Sequence, residues 1–353
     1  MPNVLVTGGA GFLGARLARQ LLTAGPLAVA GGEPEPIARL VLVDRAPAPA
    51  DLTADPRVTA ISGDLGELLD PGRADPVLAN TVLANTVLAD IGVIFHLAAA
   101  VSAECEADFD LGMRVNLGAT QALLARCRDL ETNPVVVFAS SLAVFGGSAD
   151  HPLPSVVDDQ TMPNPQSSYG AQKVIGEQLL ADYTRKGYLR GRAIRLMTVS
   201  VRPGRPNAAA SGFLSGIIRE PLSGQRAVCP VGPQAEVALT SPDRAVDGLL
   251  CAASSADAAW GGRTPVNLPA LTVTVGQMVA ALEQVAGPQA STLIDWIPDP
   301  AVAAIVTSWP ARFRAERAGR LGLRPDPDFE SIIRAYLTET RTIRTATADG
   351  REG

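Results

Sequence analysis

The sequence predicts an α/β fold: a doubly wound parallel sheet with a smaller C-terminal part that caps it. Three observations carry this. Short β-branched runs alternate with longer amphipathic segments up to about residue 200, a glycine-rich turn joins the first run to the first helix, and beyond residue 200 the alternation dissolves into Pro- and Gly-rich loops. Alternating strands and helices pack as right-handed βαβ units, which makes the strands parallel.

The elements follow in order. VLV around Val4 is the first strand, and TGGAGFLG at 7 to 14 turns it into a helix from Phe12 to about Ala24. LVLVD at 40 to 44, VTAIS at 58 to 62 and VIFHLA at 93 to 98 read as the next strands, apolar as strands covered on both faces are. A helix is predicted from about Asp108 to Leu130, a strand at VVVFAS, 135 to 140, a helix from about Tyr169 to Lys186 and a strand at RAIRLM, 192 to 197. Short elements resume through TPVNLP near 264, with a helix from about Val275 to Ala286. The chain therefore divides into a sheet domain, 1–200 with 235–270, and a smaller domain, 201–234 with 271–340. RTIRTATADGREG, from Arg341, is poor in apolar residues and predicts a mobile tail, 341–353. VLANT at 77 to 81 recurs at 82 to 86, too short a period for a solenoid, and predicts a local lengthening of the surface.

Composition excludes several classes of function. With 30 Lys+Arg against 36 Asp+Glu the net charge is −6, which offers no basic field to a nucleic-acid backbone. Cys105, Cys127, Cys229 and Cys251 are scattered without a C-x-x-C pair, so they signal neither a zinc site nor a disulfide framework but buried thiols in a reducing compartment. His96 and His151 are the only histidines, which argues against a metal centre or a histidine base. MPNVLVTG enters a strand without a basic leader, and no apolar run approaches the roughly 18 to 20 residues of a membrane helix, so a cytoplasmic protein with no membrane partner is expected.

The turn at 7 to 14 satisfies G-x-G-x-x-G as Gly9, Gly11 and Gly14, and T-G-x-x-G-x-x-G as Thr7, Gly8, Gly11 and Gly14. Placed between strand and helix, such glycines let backbone N–H groups of the turn and of Phe12 and Leu13 approach a pyrophosphate at the positive end of the helix. Asp44 ends the second strand, where a carboxylate accepts from adenosine ribose hydroxyls and repels a 2′-phosphate. That favours NAD, although Arg45 stands beside it. It lies further beyond Gly14 than the usual ~20 residues, and the loop GPLAVAGGEPEP at 25 to 36 takes up the excess. Asp64 and Leu65, after the third strand, stand where adenine would lie; a turn or helix cap is the other reading of Asp64.

YGAQK at 169 to 173 puts Tyr169 and Lys173 on one helical face. An ammonium near a phenol stabilises phenolate. Bringing the phenol from ~10 to about 7 takes roughly 4 kcal/mol, which would make Tyr169 a base at neutral pH. The strand before it ends in Ser140 and Ser141.

Together, Thr7 to Gly14, HLAA at 96 to 99, Asn116 in VNLGAT, FASSLAVFG at 138 to 146 and YGAQK resemble the extended short-chain dehydrogenase/reductase family, which has a Rossmann fold and includes NAD-dependent sugar-nucleotide epimerases and dehydratases. The resemblance implies NAD as cofactor. It assigns Ser141 to the substrate hydroxyl, Tyr169 to proton transfer, Lys173 to Tyr169 and the nicotinamide ribose, Ala98 to the cofactor loop, Ser102 to the substrate side and Asn116 to a supporting role. Ser140 could exchange roles with Ser141, and His96 is structural. A homodimer through the helices at about 108 to 130 and 169 to 186 is also implied. Dehydratases of the family carry an Asp-Glu pair where this chain has Leu142 and Ala143, which disfavours dehydration. Many epimerases carry R-Y-F-N where it has Arg195, Leu196, Met197 and Thr198. FDLGMRVN, QSSYGAQK, SVRPGRPNAAAS, IIREPLSGQ and VNLPALTVTVGQMV are similar to a sugar-acid branch, the D-erythronate dehydrogenases. That likeness implies oxidation of the C2 hydroxyl of a four-carbon aldonate. A nucleotide-sugar epimerase and an NAD-sensing regulator are the alternatives.

TVSVRPGRPNAAAS, 198 to 211, is then expected to wall the substrate. Arginine's planar fork suits a carboxylate. Arg202 is favoured over Arg205 and Arg219, with Thr198, Asn207 and Ser211 as neutral neighbours and the alanines keeping the pocket narrow. A turn with both arginines facing water is the plainer reading.

Overall fold

A computed structural model of the chain describes residues 1–69, 88–130, 132–148, 150–204 and 210–349, with side chains as far as Arg341. The two VLANT copies, Arg205 and Asn207 lie outside the described residues.

Five strands come first in the chain: β1 (Asn3–Thr7), β2 (Arg39–Asp44), β3 (Val58–Ser62), β4 (Val93–His96) and β5 (Val135–Ser141). With Arg190–Leu196 and Val266–Asn267 they form one seven-stranded sheet, ordered Val266–Asn267, Arg190–Leu196, β5, β4, β1, β2, β3. Every pairing in it is parallel. The chain starts in the middle, so the strand order reverses at β1 and a crevice opens beside its carboxyl end, where such sheets bind their ligands.

The period of two along each strand sorts side chains between two cores. Val4, Val6, Leu40 and Leu42 face Leu17 and Ala18 of helix α1 (Phe12–Thr23) and Leu249 of the helix Pro242–Ser254. Leu5, Val41, Val43 and Ile94 face the other way, against Leu123 and Leu124 of the helix Ala119–Arg128 and Leu180 of the helix Ser168–Arg185. Burying each such Val or Leu contributes roughly 1.5 to 3 kcal/mol. The helix predicted from Asp108 to Leu130 has three parts: Phe109–Gly112, a π-helical turn at Met113–Gly118, and Ala119–Arg128.

A third core joins Leu214 and Ile217 of the helix Phe213–Leu222, Met278 and Leu282 of the helix Val275–Ala286, and Ile332 and Ile333 of the C-terminal helix. Val237 and Leu239 pack here too, whereas Ala318 and Leu323 pack beside the main sheet. The strand Glu236–Thr240 pairs in parallel with Thr198–Val199 and antiparallel with Leu271–Thr274, leading the chain from the sheet into the cap. The C-terminal helix runs from Phe329 to Asp349, past the point where a mobile tail was expected. Arg16 of α1 reaches Glu339 of this helix at 2.6 Å, tying it to the sheet domain. Among the described residues no helix is long and apolar enough to cross a membrane. Cys105, Cys127 and Cys229 are buried free thiols, and Cys251 is half-buried.

Candidate active site

The glycine-rich turn is as tight as its sequence demands. Gly8 has φ +72°, and a Cβ there would stand 2.8 Å from the Ala98 nitrogen; a Cβ on Gly14 would stand 2.0 Å from the Gly8 oxygen. Helix α1 starts at Gly11 with no side-chain cap, and its first intrahelical bond is Ala15 N–H to Gly11 O at 2.8 Å. The N–H groups of Phe12, Leu13 and Gly14 precede that bond, so helix geometry gives them no internal partner. With Gly8 and Gly11 they line a cavity at the carboxyl end of β1, where the helix presents its positive end to an anion.

A second cavity continues the first, sharing Gly8, Gly11, Leu97 and Ala99 with it, and is lined by Asp44, Arg45, Asp64, Leu65 and Ala98. Asp44 Oδ2 accepts from the N–H groups of Ala10 (3.0 Å) and Gly11 (3.1 Å), and Oδ1 from Ala46 (3.0 Å). A carboxylate has about four acceptor directions, so this one braces the turn and still faces the cavity. Asp64 Oδ1 caps the short helix Leu65–Leu69 through Gly66 N–H at 2.9 Å, so its capping role is realised at the cavity wall. The elongated groove, the uncapped helix start and the carboxylate at its far end fit a dinucleotide.

At the groove's other end stands the helix Ser168–Arg185, capped by Ser167 Oγ, which accepts from Gly170 N–H at 3.1 Å. A Cβ on Gly170 would stand 2.1 Å from the Ala143 oxygen, so glycine lets the helix start press against the end of β5. Tyr169, half-buried, lines the cavity with Ser141 and Lys173. Burial pushes the Tyr169 phenol up to about 12, opposed by its hydrogen bond with Ser141 and the nearby charge of Arg202. This corrects the expectation of a phenolate near neutrality. Lys173 Nζ stands 5.6 Å from the Tyr169 ring centre and donates to the Ala139 carbonyl at 2.9 Å, and burial brings it down to about 8. Spacing placed the ammonium on the right face, but desolvation of the phenol outweighs it.

The two serines have different tasks. Ser140 Oγ donates to Glu177 Oε1 at 2.5 Å in the interior, so it does not exchange roles with Ser141, which bonds Tyr169. Asn116, in the π-helical turn, accepts from Ala100 N–H at 2.7 Å and donates to Gln172 Oε1 at 2.8 Å, tying the loop after β4 to the helix Ser168–Arg185. His96 is buried between the hydroxyls of Thr7 (2.7 Å) and Thr120 (2.8 Å), and burial pushes it down to about 3; it is a neutral structural residue. Among the described residues no group of metal-binding side chains assembles.

The same cavity is also lined by Ser102, Thr198, Arg202, Ser211 and Trp309, four of them residues expected on the substrate side. Arg202 belongs to the cavity wall and not to a solvated turn. Its Nη2 is buried with no hydrogen-bond partner among the described residues, and burial and Arg219 lower its pKa. Arg219 is occupied elsewhere: it donates to the Arg202 carbonyl at 2.9 Å and to Glu220 Oε1 at 2.5 Å, so it is not the free fork. Ser102 Oγ accepts from Ala210 N–H at 3.3 Å, joining the start of the helix Ser102–Ala107 to the segment before Ser211. Trp309, which follows the helix Pro300–Thr307, was not foreseen. An aromatic next to Pro310 in a loop was its only signal. Leu97 and Ala99, which also line the groove, were not named as site residues although the HLAA motif that contains them was their signal.

The model of the NAD dependent epimerase/dehydratase family matches residues 4–263. The chain belongs to the NAD dependent epimerase/dehydratase family. Within it, the chain is 51% identical over 337 residues to a D-erythronate dehydrogenase of Cupriavidus necator, covering 96% of this chain and 98% of that one. It is 38% identical over 337 residues to a D-erythronate dehydrogenase of Haemophilus influenzae, covering 95% and 98%. A crystal structure described as a nucleoside-diphosphate-sugar epimerase from Agrobacterium tumefaciens superposes with a TM-score of 0.83 at 39% identity, covering 96% of this chain and 94% of that one. This epimerase/dehydratase family member is an NAD-dependent dehydrogenase.

Proposed function

We propose that the enzyme oxidises the C2 hydroxyl of a small sugar acid, D-erythronate, to 2-dehydro-D-erythronate. The observation that carries this reading is Arg202: a guanidinium with an orphaned, buried Nη2 on the wall that also holds Tyr169 and Ser141. A buried donor without a partner is costly unless a ligand satisfies it, and a planar carboxylate matches the fork. Likeness to two D-erythronate dehydrogenases supports the same substrate class. In this reading residues 1–200 with 235–270 hold the cofactor, and 201–234 with 271–340 close over the acid.

Arg202 fixes the carboxylate, Ser141 holds the C2 oxygen and Tyr169 takes the hydroxyl proton as the C–H electron pair leaves. Gly8 to Gly14, Asp44 and Lys173 would hold NAD, which would supply the acceptor for that hydride. Tyr169 must first lose its own proton, so oxidation belongs to alkaline pH. A homodimer through the helices Ala119–Arg128 and Ser168–Arg185 completes the proposal, and light scattering checks it. The deciding experiment incubates the enzyme and NAD with a panel of four-carbon aldonates and one nucleotide sugar. NADH formed from D-erythronate alone supports the reading. An epimerised nucleotide sugar without net NADH replaces it with the epimerase suggested by the Agrobacterium tumefaciens relative.

A further inference from the structure

The helix Ser168–Arg185 carries Tyr169, Lys173 and Glu177 at intervals of four, on one face. Each meets one of three consecutive residues at the end of β5: Tyr169 the Ser141 hydroxyl, Lys173 the Ala139 carbonyl, Glu177 the Ser140 hydroxyl. The proposed chemistry uses the first two and leaves Glu177 unexplained. Its carboxylate is 1% exposed. Arg195 donates to it twice, Nε to Oε1 at 2.8 Å and Nη2 to Oε2 at 2.7 Å, and lies over the Phe145 ring at 4.7 Å. A buried ion pair is often replaceable by apolar side chains without loss of stability, so folding alone does not call for this one.

We propose that Glu177 is a positioning residue for the reaction: its carboxylate, fixed by Arg195 and Ser140 one helical turn beyond Lys173, holds that lysine as an ammonium inside a buried site. The other titratable groups facing Lys173 are Tyr169 on its own helix, His96 from β4 and Cys105 from the helix Ser102–Ala107. His96 is neutral, and burial raises the thiol of Cys105 and the phenol of Tyr169, so all three are uncharged near neutrality. Cys105 and then Glu177 oppose the effect of burial on Lys173; with the thiol protonated near neutrality, the carboxylate held by Arg195 is the group left to do so. An ammonium there donates to a cofactor ribose and lowers the cost of a phenolate at Tyr169; a neutral amine does the second not at all.

The proposal rests on Lys173 serving the dehydrogenase and not on which acid is oxidised, and its test needs no substrate. The sequence contains two lysines, Lys173 and the exposed Lys186. In a Lys186→Arg background, isotopically labelled lysine gives one side-chain NMR signal, whose titration reads Lys173 directly in the full chain, with and without NAD. It is expected to titrate at about 8, to fall by about one pH unit or more in Glu177→Gln, and to stay near the parent value in Glu177→Asp. Because Glu177→Gln alone strands Arg195, the double variant Glu177→Gln with Arg195→Met removes the pair without leaving a buried charge. A fall in the same direction is expected there, smaller because the Arg195 charge is removed as well, with cooperative unfolding retained. An unmoved Lys173 in the folded double variant overturns the proposal, as does an Asp variant that falls as far as the Gln variant. Failure to oxidise D-erythronate with the Lys173 shift intact overturns only the substrate assignment.

Discussion

Tyr169 and Arg202 stand in one cavity and oppose each other's burial. The arginine's charge pulls the phenol down, and the phenol's ionised form would hold the arginine charged. With the phenol pushed up to about 12, its basic form is scarce at neutral pH, so kcat/KM for oxidation should rise from neutrality and the rise should flatten above about 8, where Lys173 loses its proton. A pH–rate profile that is flat from neutrality upward would contradict that sign. Tyr169→Phe should abolish turnover while NAD affinity, measured by calorimetry, stays close to that of the parent. Arg202→Ala should lower kcat/KM for the sugar acid by ~10², about 3 kcal/mol, with cofactor affinity nearly unchanged. Steady-state kinetics on the two variants would separate proton transfer from carboxylate binding.

Among the elements, the helix Ser168–Arg185, which carries the proposed base, shows how little separates stability from chemistry. Tyr169 is its second residue, directly after the Ser167 cap. Ser167→Ala removes one hydrogen bond from the helix start and should lower unfolding free energy by about 1 kcal/mol in a denaturant titration. Fraying at that end should lower kcat as well. The elements themselves were largely legible: VTAIS and the helix Val275–Ala286 fall on their predicted residues, because period and β-branching are local properties. Gly8 to Gly14 were legible for the same reason. What the pattern did not reveal depends on distant partners. Asp44 is shared between the turn's amides and the cavity, Ser140 is drawn inward by Glu177, and Trp309 arrives from the cap. The phenol of Tyr169 was misjudged because spacing shows a neighbouring charge but not the desolvation that opposes it.

For the molecule as a whole, His96 ties the first strand, the fourth strand and the helix Ala119–Arg128 through two threonines. Its pKa is about 3 in the fold against an ordinary 6.5. Below 6.5 the unfolded chain takes up a proton that the folded chain refuses. Stability should therefore fall as pH drops from about 6.5 towards about 3, by roughly 1.4 kcal/mol per unit from this group, and level off below. Unfolding free energies measured between pH 6 and 4 should show a shallower slope in His96→Gln than in the parent; equal slopes would assign acid sensitivity to other groups. The hydrogen bond from Ala210 N–H to Ser102 Oγ has a consequence at this scale too. It joins the start of the helix Ser102–Ala107 to the segment leading to Ser211, the wall proposed for the acid, so ordering one restrains the other. In the proposed reading, two ligands that each order one side share a single free energy of coupling, and thermodynamic reciprocity requires that the factor by which NAD tightens the acid equals the factor by which the acid tightens NAD.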